Sequence, residues 1–369
     1  MKCPPKYDAL RKGFVAAREV SRLHGIPVWR QVREWVALRR NGVGLEDYYY
    51  YRLYDAKLHP TMEEKLTYGG WRAFMGEFRR YANIRHEAIA YEKHIFYRIC
   101  DGFGLPVPLI YSVYTPSFDA FERHRSITKK DDLRDYLSST RQLPFFGKPS
   151  NASRGFGARG VLGRAPDGRF RLVSGESVTL DVLVNDIERF ASDNGTYLIT
   201  EFLQNDPEIV EMVGEVLCSL RVVMLVRNGE PEFFRTSMHL PGAGSHASNV
   251  AGFATGTISC GIDPHTGIIR SALQGAGAER QEVKRHPISS VQLIGYVIPG
   301  WELVRTLALE ASKAMSPFRM QHWDFALTTR GPVILEMNVI GDVAACQRHG
   351  PPGIYTKQYL GFRDTHAYK

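Results

Sequence analysis

The sequence is poor in cysteine, and its cysteines do not form a pattern. The 369 residues include five of them, Cys3, Cys100, Cys218, Cys260 and Cys346, with no Cys-x-x-Cys pair. An odd number of scattered cysteines argues against a disulfide framework and against a thiolate zinc site. We therefore expect a protein of the reducing cytoplasm.

Long apolar runs are also missing. No stretch approaches the roughly 18 uninterrupted apolar residues of a membrane span, and the first residues lack the apolar core of a signal peptide. We therefore expect no membrane span. Internal repeats and low-complexity tracts are absent too. With 44% hydrophobic and 23% charged residues, the composition is that of a soluble globular protein.

Charge is unevenly balanced, with a formal net charge of +8. This excess favours an anionic partner, such as a phosphate-rich cofactor, an acidic substrate, a membrane surface or RNA. A solvated basic helical face without any partner explains it equally well. No nucleic-acid-binding motif is present, so we expect no DNA partner.

The pattern changes from helices to strands along the chain. Apolar residues recur at three- and four-residue steps over residues 6–40, with a break at Pro27, and a second helical pattern covers 85–103. From about residue 143, strand-like runs alternate with turn sequences such as Asn228-Gly229, and one long helix is predicted from Trp301 to Met315. The predicted class is α+β, with a mainly helical N-terminal region.

Five tyrosines stand within residues 48–54. Such a window could form a stacking platform for nucleic-acid bases. Packing between helices is the commoner use of aromatic side chains, and the sequence favours it.

Acidic and amide side chains interrupt a predicted apolar hairpin over residues 320–338. Residues two apart on a strand share a face, so Glu336 and Asn338 project together, while Val333, Leu335 and Met337 fill the other side. A turn centred near Arg330 would place Asp324 opposite Glu336. Oxygen ligands of this kind suit Mg²⁺. A hairpin with one solvated face is the alternative.

A glycine-rich segment follows the predicted strand that contains Lys148. Gly155 to Gly160 match G-x-G-x-x-G, but a second strand follows instead of the helix that a dinucleotide site requires. A glycine-rich hairpin that covers a triphosphate fits better, since bare backbone N–H groups can approach phosphate closely. Lys148 would offer a positive charge to the phosphates. The alternative is a mobile surface loop with a solvated lysine.

Two charged residues stand out in apolar strands. Glu201 ends the run from Tyr197 and could bind an adenine amino group or a ribose hydroxyl, although a solvated glutamate is the usual case. Arg221 is the one cation in a core-like strand over 217–226. It is predicted to face an anion, with a buried structural salt bridge as the competing account.

Together, these elements resemble the ATP-grasp superfamily, and within it the sugar-transfer associated subgroup related to carboxylate–amine ligases. Lys93 before Gly-Leu-Pro-Val-Pro (104–108), the Gly-Lys-Pro of Lys148, the arginine strand, and the marks His286-Pro287 and Ile298-Pro299-Gly300-Trp301 carry the resemblance. It implies two α+β lobes that clamp ATP. The predicted regions are a helical one over 1–84, an N-terminal subdomain over 85–142, a glycine-rich-loop lobe over 143–205, and a catalytic, metal-binding lobe over 206–369.

The resemblance also implies roles for individual residues. ATP is expected at Lys93, Lys148, Ser153, Gly155, Gly157, Glu201, Phe202 and Leu203. The expected metal ligands, for Mg²⁺ with Mn²⁺ as a substitute, are Asp324, Glu336 and Asn338. The expected catalytic residues are Arg221 and Asn249. The sequence departs from the subgroup around Asn249, at His322 and at Met337, so the acceptor is not carried over.

The implied activity is that of an ATP-dependent ligase. It joins a small carboxylate and an amine, such as an amino acid or peptide, through an acyl phosphate, and releases ADP and phosphate. One alternative is a kinase that phosphorylates a hydroxylated metabolite on the same scaffold. A binding protein that has lost catalysis is another. A homodimer is compatible with the resemblance.

Overall fold

The structure is a computed structural model that describes residues 5–81, 83–117, 126–152, 155–242, 256–275, 280–341 and 347–366. Helices and antiparallel strands both contribute, which confirms the α+β class. In the described part of the chain the α-helices are α1 Pro5–His24, α2 Val28–Leu38, α3 Leu45–Tyr50, α4 Met62–Lys65, α5 Trp71–Phe78, α6 Glu87–Tyr91, α7 Lys93–Gly102, α8 Lys130–Ser139, α9 Leu180–Asn194, α10 Pro207–Val213, α11 Trp301–Ala314 and α12 Lys357–His366.

The first sheet contains the strands of the glycine-rich lobe. Its order is β2-β1-β7-β3-β4-β5-β6, and every pair is antiparallel except β1–β2. β3 and β4 pair directly, so the glycine-rich segment joins the two arms of a hairpin. The strands are β1 Ile110–Tyr114, β2 Ser126–Ile127, β3 Phe145–Pro149, β4 Arg159–Arg164, β5 Phe170–Leu172, β6 Ser177–Val178 and β7 Tyr197–Glu201.

The second sheet is antiparallel throughout. Its order is β12-β11-β10-β9-β8-β13-β14. The hairpin between β8 and β9 turns at Asn228 and Gly229, which both have positive φ, as the sequence indicated. The strands are β8 Ser219–Arg227, β9 Glu230–Leu240, β10 Ile258–Ile262, β11 Ile269–Gln274, β12 Gln281–Glu282, β13 Met320–Thr328 and β14 Gly331–Asn338.

The two faces of the second sheet are used differently. Val222 and Trp323 face a core that includes α7 and α11. On the opposite face, Val223 and Met320 pack against α5 and α12. Arg221 lies two residues from Val223 and so shares its face. The polar residues of that face, Arg221 among them, form part of the candidate functional site.

The tyrosine window is core and not a stacking platform. Tyr48, Tyr49, Tyr51 and Tyr54 are all buried among residues of α1 and α2. The Tyr48 hydroxyl donates to Glu34 at 2.8 Å, which satisfies its polar end. The helix-packing interpretation is therefore confirmed.

The predicted helix over 85–103 is wrong as a single element. It is divided into α6 and α7 at Glu92, which has extended ψ. The first N–H groups of α7 do not continue α6: Lys93 N donates to the Ser150 carbonyl and His94 N to Ser150 Oγ, each at 3.1 Å. A helix start capped from another strand leaves no glycine or proline signal in the sequence.

The four predicted regions stay a prediction. The first sheet draws β1 and β2 from region 85–142 and its other strands from region 143–205. In the described ranges, no helix combines the length and apolarity needed to cross a membrane.

Gln347 links the N-terminal helical region to the C-terminal lobe. It is 1% exposed. Its amide nitrogen donates to Tyr51 Oη and the Gly69 carbonyl at 3.1 Å, and its carbonyl accepts from Gly69 N at 3.0 Å and Ile354 N at 3.1 Å.

We predict that Gln347→Leu lowers the free energy of unfolding by about 2–4 kcal/mol, because several buried polar groups lose their partners. Urea unfolding followed by circular dichroism measures this change. Gln292→Leu, at an exposed position, is the matched control. A loss below about 1 kcal/mol would show that Gln347 is not the connection described.

Candidate functional site

The β13–β14 hairpin brings the predicted carboxylates face to face. Thr328 pairs with Gly331 around a tight turn, and Asp324 pairs with Glu336 farther along. A regular ladder from this turn would place Leu335 opposite Asp324. A β-bulge between these pairs shifts the register by one residue and puts Glu336 there instead.

The bulge corrects one detail of the predicted hairpin. The predicted shared side of Val333, Leu335 and Met337 is wrong: Leu335 is the extra residue at the bulge and only partly buried, and Val333, though buried, is not part of the core cluster that contains Met337. Ile334 takes the core position. The Leu335 carbonyl accepts a hydrogen bond from Tyr97 Oη at 2.7 Å, so α7 supports the irregular backbone.

Arg221 meets Asp324 across β8 and β13. Its Nε donates to Oδ1 at 2.7 Å and its Nη2 to Oδ2 at 2.5 Å. This is the bidentate geometry that planar guanidinium favours. The arginine therefore faces an anion, as the sequence indicated, and the anion in this structure is a predicted metal ligand.

Lys93 approaches the same carboxylates from the first turn of α7. Its Nζ lies 3.5 Å from Glu336 Oε2 and donates to the Ala152 carbonyl at 2.8 Å. Ala152 belongs to the segment between β3 and β4. Because the helix breaks at Glu92, α7 begins at Lys93, and this lysine lies in its first turn beside the carboxylates.

Lys148 reaches the site from the first sheet. Its Nζ donates to Tyr97 Oη at 2.6 Å, and the same hydroxyl donates to Leu335. Tyr97 therefore joins a lysine of one sheet to the bulge of the other. Sequence reasoning missed Tyr97, because a tyrosine inside an amphipathic helix has the pattern of a core residue.

The two carboxyls have opposite pKa shifts. Burial raises the pKa of Asp324 to about 6, against the lowering effect of Arg221 and with a contribution from Glu336. Burial would also raise the pKa of Glu336, but Lys93, Asn338, Lys148 and Arg221 together hold it at about 2. Both carboxyls are therefore ionised at neutral pH, and Asp324 is the first to take up a proton as the pH falls.

Histidines near Arg221 are neutral. Burial, followed by the Arg221 charge, lowers the pKa values of His239 and His322 to about 3. His322 is fully buried beside Phe78. Neither ring adds charge to the site at neutral pH.

The segment after β7 forms the predicted linker. Glu201 ends the strand, and Phe202 and Leu203 follow without regular structure and half-buried. The Glu201 carboxylate accepts from Leu109 N at 2.9 Å and forms an ion pair with Arg330. Its side chain is therefore occupied, and the linker's contact with a nucleotide stays a prediction that involves its backbone.

The glycines of the β3–β4 segment differ in their surroundings. Gly155 is exposed, whereas Gly157 is buried, with φ of 71°. A side chain at Gly157 would clash with Pro149 and Phe190. Ser153 and Asn249 lie outside the described residues.

The donor set fits a hard divalent cation. Asp324 and Glu336 are direct cross-strand neighbours, and Asn338 Nδ2 donates to Glu336 Oε1 at 3.1 Å, which leaves its amide oxygen as a further donor. Within the described ranges, no group of three or more His, Cys, Asp or Glu side chains is arranged to hold a metal. The fit therefore depends on two carboxylates and one amide.

Comparison with protein families identifies the architecture. The model of the sugar-transfer associated ATP-grasp family matches residues 74–358, most of the chain. The chain belongs to this family. The α+β ATP-grasp fold with its helical N-terminal region, expected from the sequence, is confirmed, and so is the resemblance itself.

Solved structures with some likeness to this ATP-grasp chain include amino acid ligases. VanG D-Ala:D-Ser ligase from Enterococcus faecalis is 12% identical over 76% of this chain and 61% of its own, with a TM-score of 0.43. D-alanyl-alanine synthetase A from Vibrio cholerae is 13% identical over 76% and 66%, also at 0.43. The chain thus spans less than two thirds of either ligase. D-cycloserine synthetase DcsG is 12% identical over 80% of both chains, at 0.42. No curated protein matches the sequence.

Lys148 gives the ATP-grasp site a pH signature. Burial, followed by the charge of Lys93, lowers its pKa to about 7, although Glu336 opposes the shift. Above that pH the folded protein releases a proton that the unfolded chain, with an ordinary lysine pKa, still holds. Taken alone, this proton makes stability rise with pH above 7, whereas the buried thiols of Cys100, Cys218 and Cys260, whose pKa values burial raises, act in the opposite direction at the upper end of this range.

We predict that Lys148→Met lowers the slope of the free energy of unfolding against pH by up to about 1.4 kcal/mol per pH unit, because the variant lacks the one proton that Lys148 releases. Urea unfolding from about pH 7 to about pH 9 measures it, below the range in which unfolded tyrosines ionise. Lys284→Met, at an exposed position, should keep the wild-type slope. Equal slopes in all three proteins would contradict the assigned environment of Lys148.

Proposed function

We propose that this protein is an ATP- and Mg²⁺-dependent carboxylate–amine ligase. One observation carries the proposal: Lys148 and Lys93 converge with Arg221, Asp324 and Glu336 in one partly buried cluster, to which both sheets contribute. Cations that hold a triphosphate, beside oxygen ligands for its metal, are what phosphoryl transfer from ATP requires. Family membership supports ATP-dependent ligation in general.

The nucleotide would lie between the sheets. Lys93 and Lys148 would hold the phosphates, with the backbone of Ser153, Gly155 and Gly157 covering them. The backbone of Glu201, Phe202 and Leu203 would contact adenine. Support comes from the contact of Lys93 with Ala152, which joins one lysine to the segment between β3 and β4.

Asp324, Glu336 and Asn338 would hold the metal. Mg²⁺, or Mn²⁺ in its place, neutralises charge on the β- and γ-phosphates when it is bound there. A bound cation would also offset the repulsion between the two carboxylates. The same cation would weaken the ion pair between Arg221 and Asp324.

The chemistry needs no protein nucleophile. The substrate carboxylate would attack the γ-phosphate and form an acyl phosphate with ADP as the leaving group, and the amine would then displace phosphate to form the amide. Arg221, with Asn249, would stabilise the acyl phosphate and the tetrahedral oxyanion that follows. The glycine-rich hairpin would exclude water from the acyl phosphate.

Small-molecule substrates and a cytoplasmic location belong to the same proposal. The described cysteines, Cys100, Cys218 and Cys260, are free thiols, which agrees with that location.

We predict that Glu336→Ala and Lys148→Ala each yield a folded protein with at least a hundredfold lower turnover, because metal and phosphate contacts act in the transition state. Circular dichroism checks folding, and ADP release measures turnover. Glu302→Ala, on the exposed surface of α11, is the control. Near-normal turnover in both site variants would remove the assignment.

The products separate the ligase from the alternatives. Purified protein is incubated with ATP, Mg²⁺ and pools of amino acids and small carboxylates. ADP and free phosphate that appear only when a carboxylate and an amine are both present establish the ligase. A phosphorylated acceptor without free phosphate would make the protein a kinase. Failure of ATP to raise the melting temperature would favour a binding protein.

A further inference from the structure

One buried arginine outside the candidate functional site has no counter-ion among the described residues. Arg280 is 4% exposed, and its Nη1 donates to the Tyr50 carbonyl at 2.8 Å. Its Nε is buried without an acceptor. The leading charge effects on Arg280 come from Arg348 and Arg52, followed by Tyr50 and Tyr54. Burial of a guanidinium without an anion is energetically costly.

Other arginines increase the positive potential there. Arg52 Nη1 donates to the Arg280 carbonyl at 3.3 Å, while Asp55 neutralises Arg52 at 2.7 Å. Arg348 is 1% exposed, donates to the Gly275 carbonyl, and lies 5.8 Å from the centre of the Tyr50 ring. Burial, then Arg348 and Arg52, lower the pKa of Arg280 to about 10.

A structural role accounts for only part of this arrangement. Tyr50 is the last residue of α3, so Arg280 caps that helix. One carbonyl occupies one of the five guanidinium donors. Within the described part of the chain, the Nε donor of Arg280 and its positive charge still lack a partner.

A row of polar side chains connects this place with Arg221. His349, next to Arg348, hydrogen-bonds Ser259 Oγ and Ser271 Oγ, each at 2.9 Å. His239 lies between Ser259 and Ser219 in the ladder, and Ser219 shares the face of Arg221. From β8 to β11 the row crosses three strand spacings, roughly 14 Å.

We propose that Arg280, helped by the charge of Arg348, binds an anionic group of the substrate, either a carboxylate or a phosphate, at the far end of this row. The inference rests on the proposed function only in naming the anion as part of the ligase substrate. A substrate that reaches from Arg221 to Arg280 is longer than one amino acid, whose backbone spans about 3.5 Å.

The test measures the melting temperature of the full-length protein in millimolar phosphate, succinate or acetate, with sodium chloride at equal ionic strength as reference. Phosphate or succinate is expected to raise the wild-type melting temperature by roughly 2 °C at ten times its Kd. Whichever of the two acts more strongly identifies the anionic group. Acetate reports a simple carboxylate.

Variants connect the response to Arg280. Arg280→Met is expected to lose it, and Arg285→Met, an exposed arginine that also donates to a carbonyl, is expected to keep it. If Arg280→Met does not fold, Arg280→Lys decides, because it keeps the charge without the planar fork and must respond more weakly. A wild-type response in Arg280→Met or Arg280→Lys, or no response in wild type, overturns the proposal.

Lys148→Met separates this inference from the proposed function. It is expected to lose stabilisation by ATP and keep stabilisation by the anion, which excludes anion binding at the phosphate lysines. If an anion stabilises the protein through Arg280 but ATP does not stabilise it, the Arg280 site is supported and the ligase proposal is contradicted. If ATP stabilises the protein but no anion does, the ligase proposal is retained and the Arg280 site is contradicted.

Discussion

The hydroxyl of Tyr97 is the contact on which the site depends. It accepts a hydrogen bond from Lys148 of the first sheet and donates one to the Leu335 carbonyl of the second. The bulge at Leu335 decides whether Glu336 or a leucine lies opposite Asp324. One buried hydroxyl thus holds a lysine and a carboxylate in the same place, and its own environment is apolar enough to raise its pKa well above the ordinary value.

Charge balance explains the rest of the cluster. Lys93 and Lys148 hold Glu336 ionised, while the bidentate pair with Arg221 satisfies Asp324. An anion bound beside these cations together with its own divalent metal would leave no charge uncompensated. The same reasoning, applied to Arg280, identifies a buried charge that no described residue compensates.

Much of this arrangement could be predicted from the sequence, and the limits have physical causes. The alternation of Asp324, Glu336 and Asn338 with apolar residues predicted the β13–β14 hairpin, and Asn228-Gly229 predicted the turn of the other hairpin, between β8 and β9. Leu335 was placed wrongly, because a bulge leaves no residue signature. The division at Glu92 was missed, since Ser150 caps α7 from a distant strand. Tyr97 and Arg280 were missed because their roles depend on neighbours hundreds of residues away.

The coupling between Mg²⁺ and nucleotide tests the central claim most directly. Calorimetric titration of a non-hydrolysable ATP analogue, with and without Mg²⁺, measures it in wild type and in Asp324→Asn. The account predicts that Mg²⁺ tightens binding at least tenfold in wild type, or about 1.4 kcal/mol, and that Asp324→Asn loses most of this gain. Equal affinity with and without Mg²⁺ in wild type, or an unchanged gain in Asp324→Asn, would contradict it.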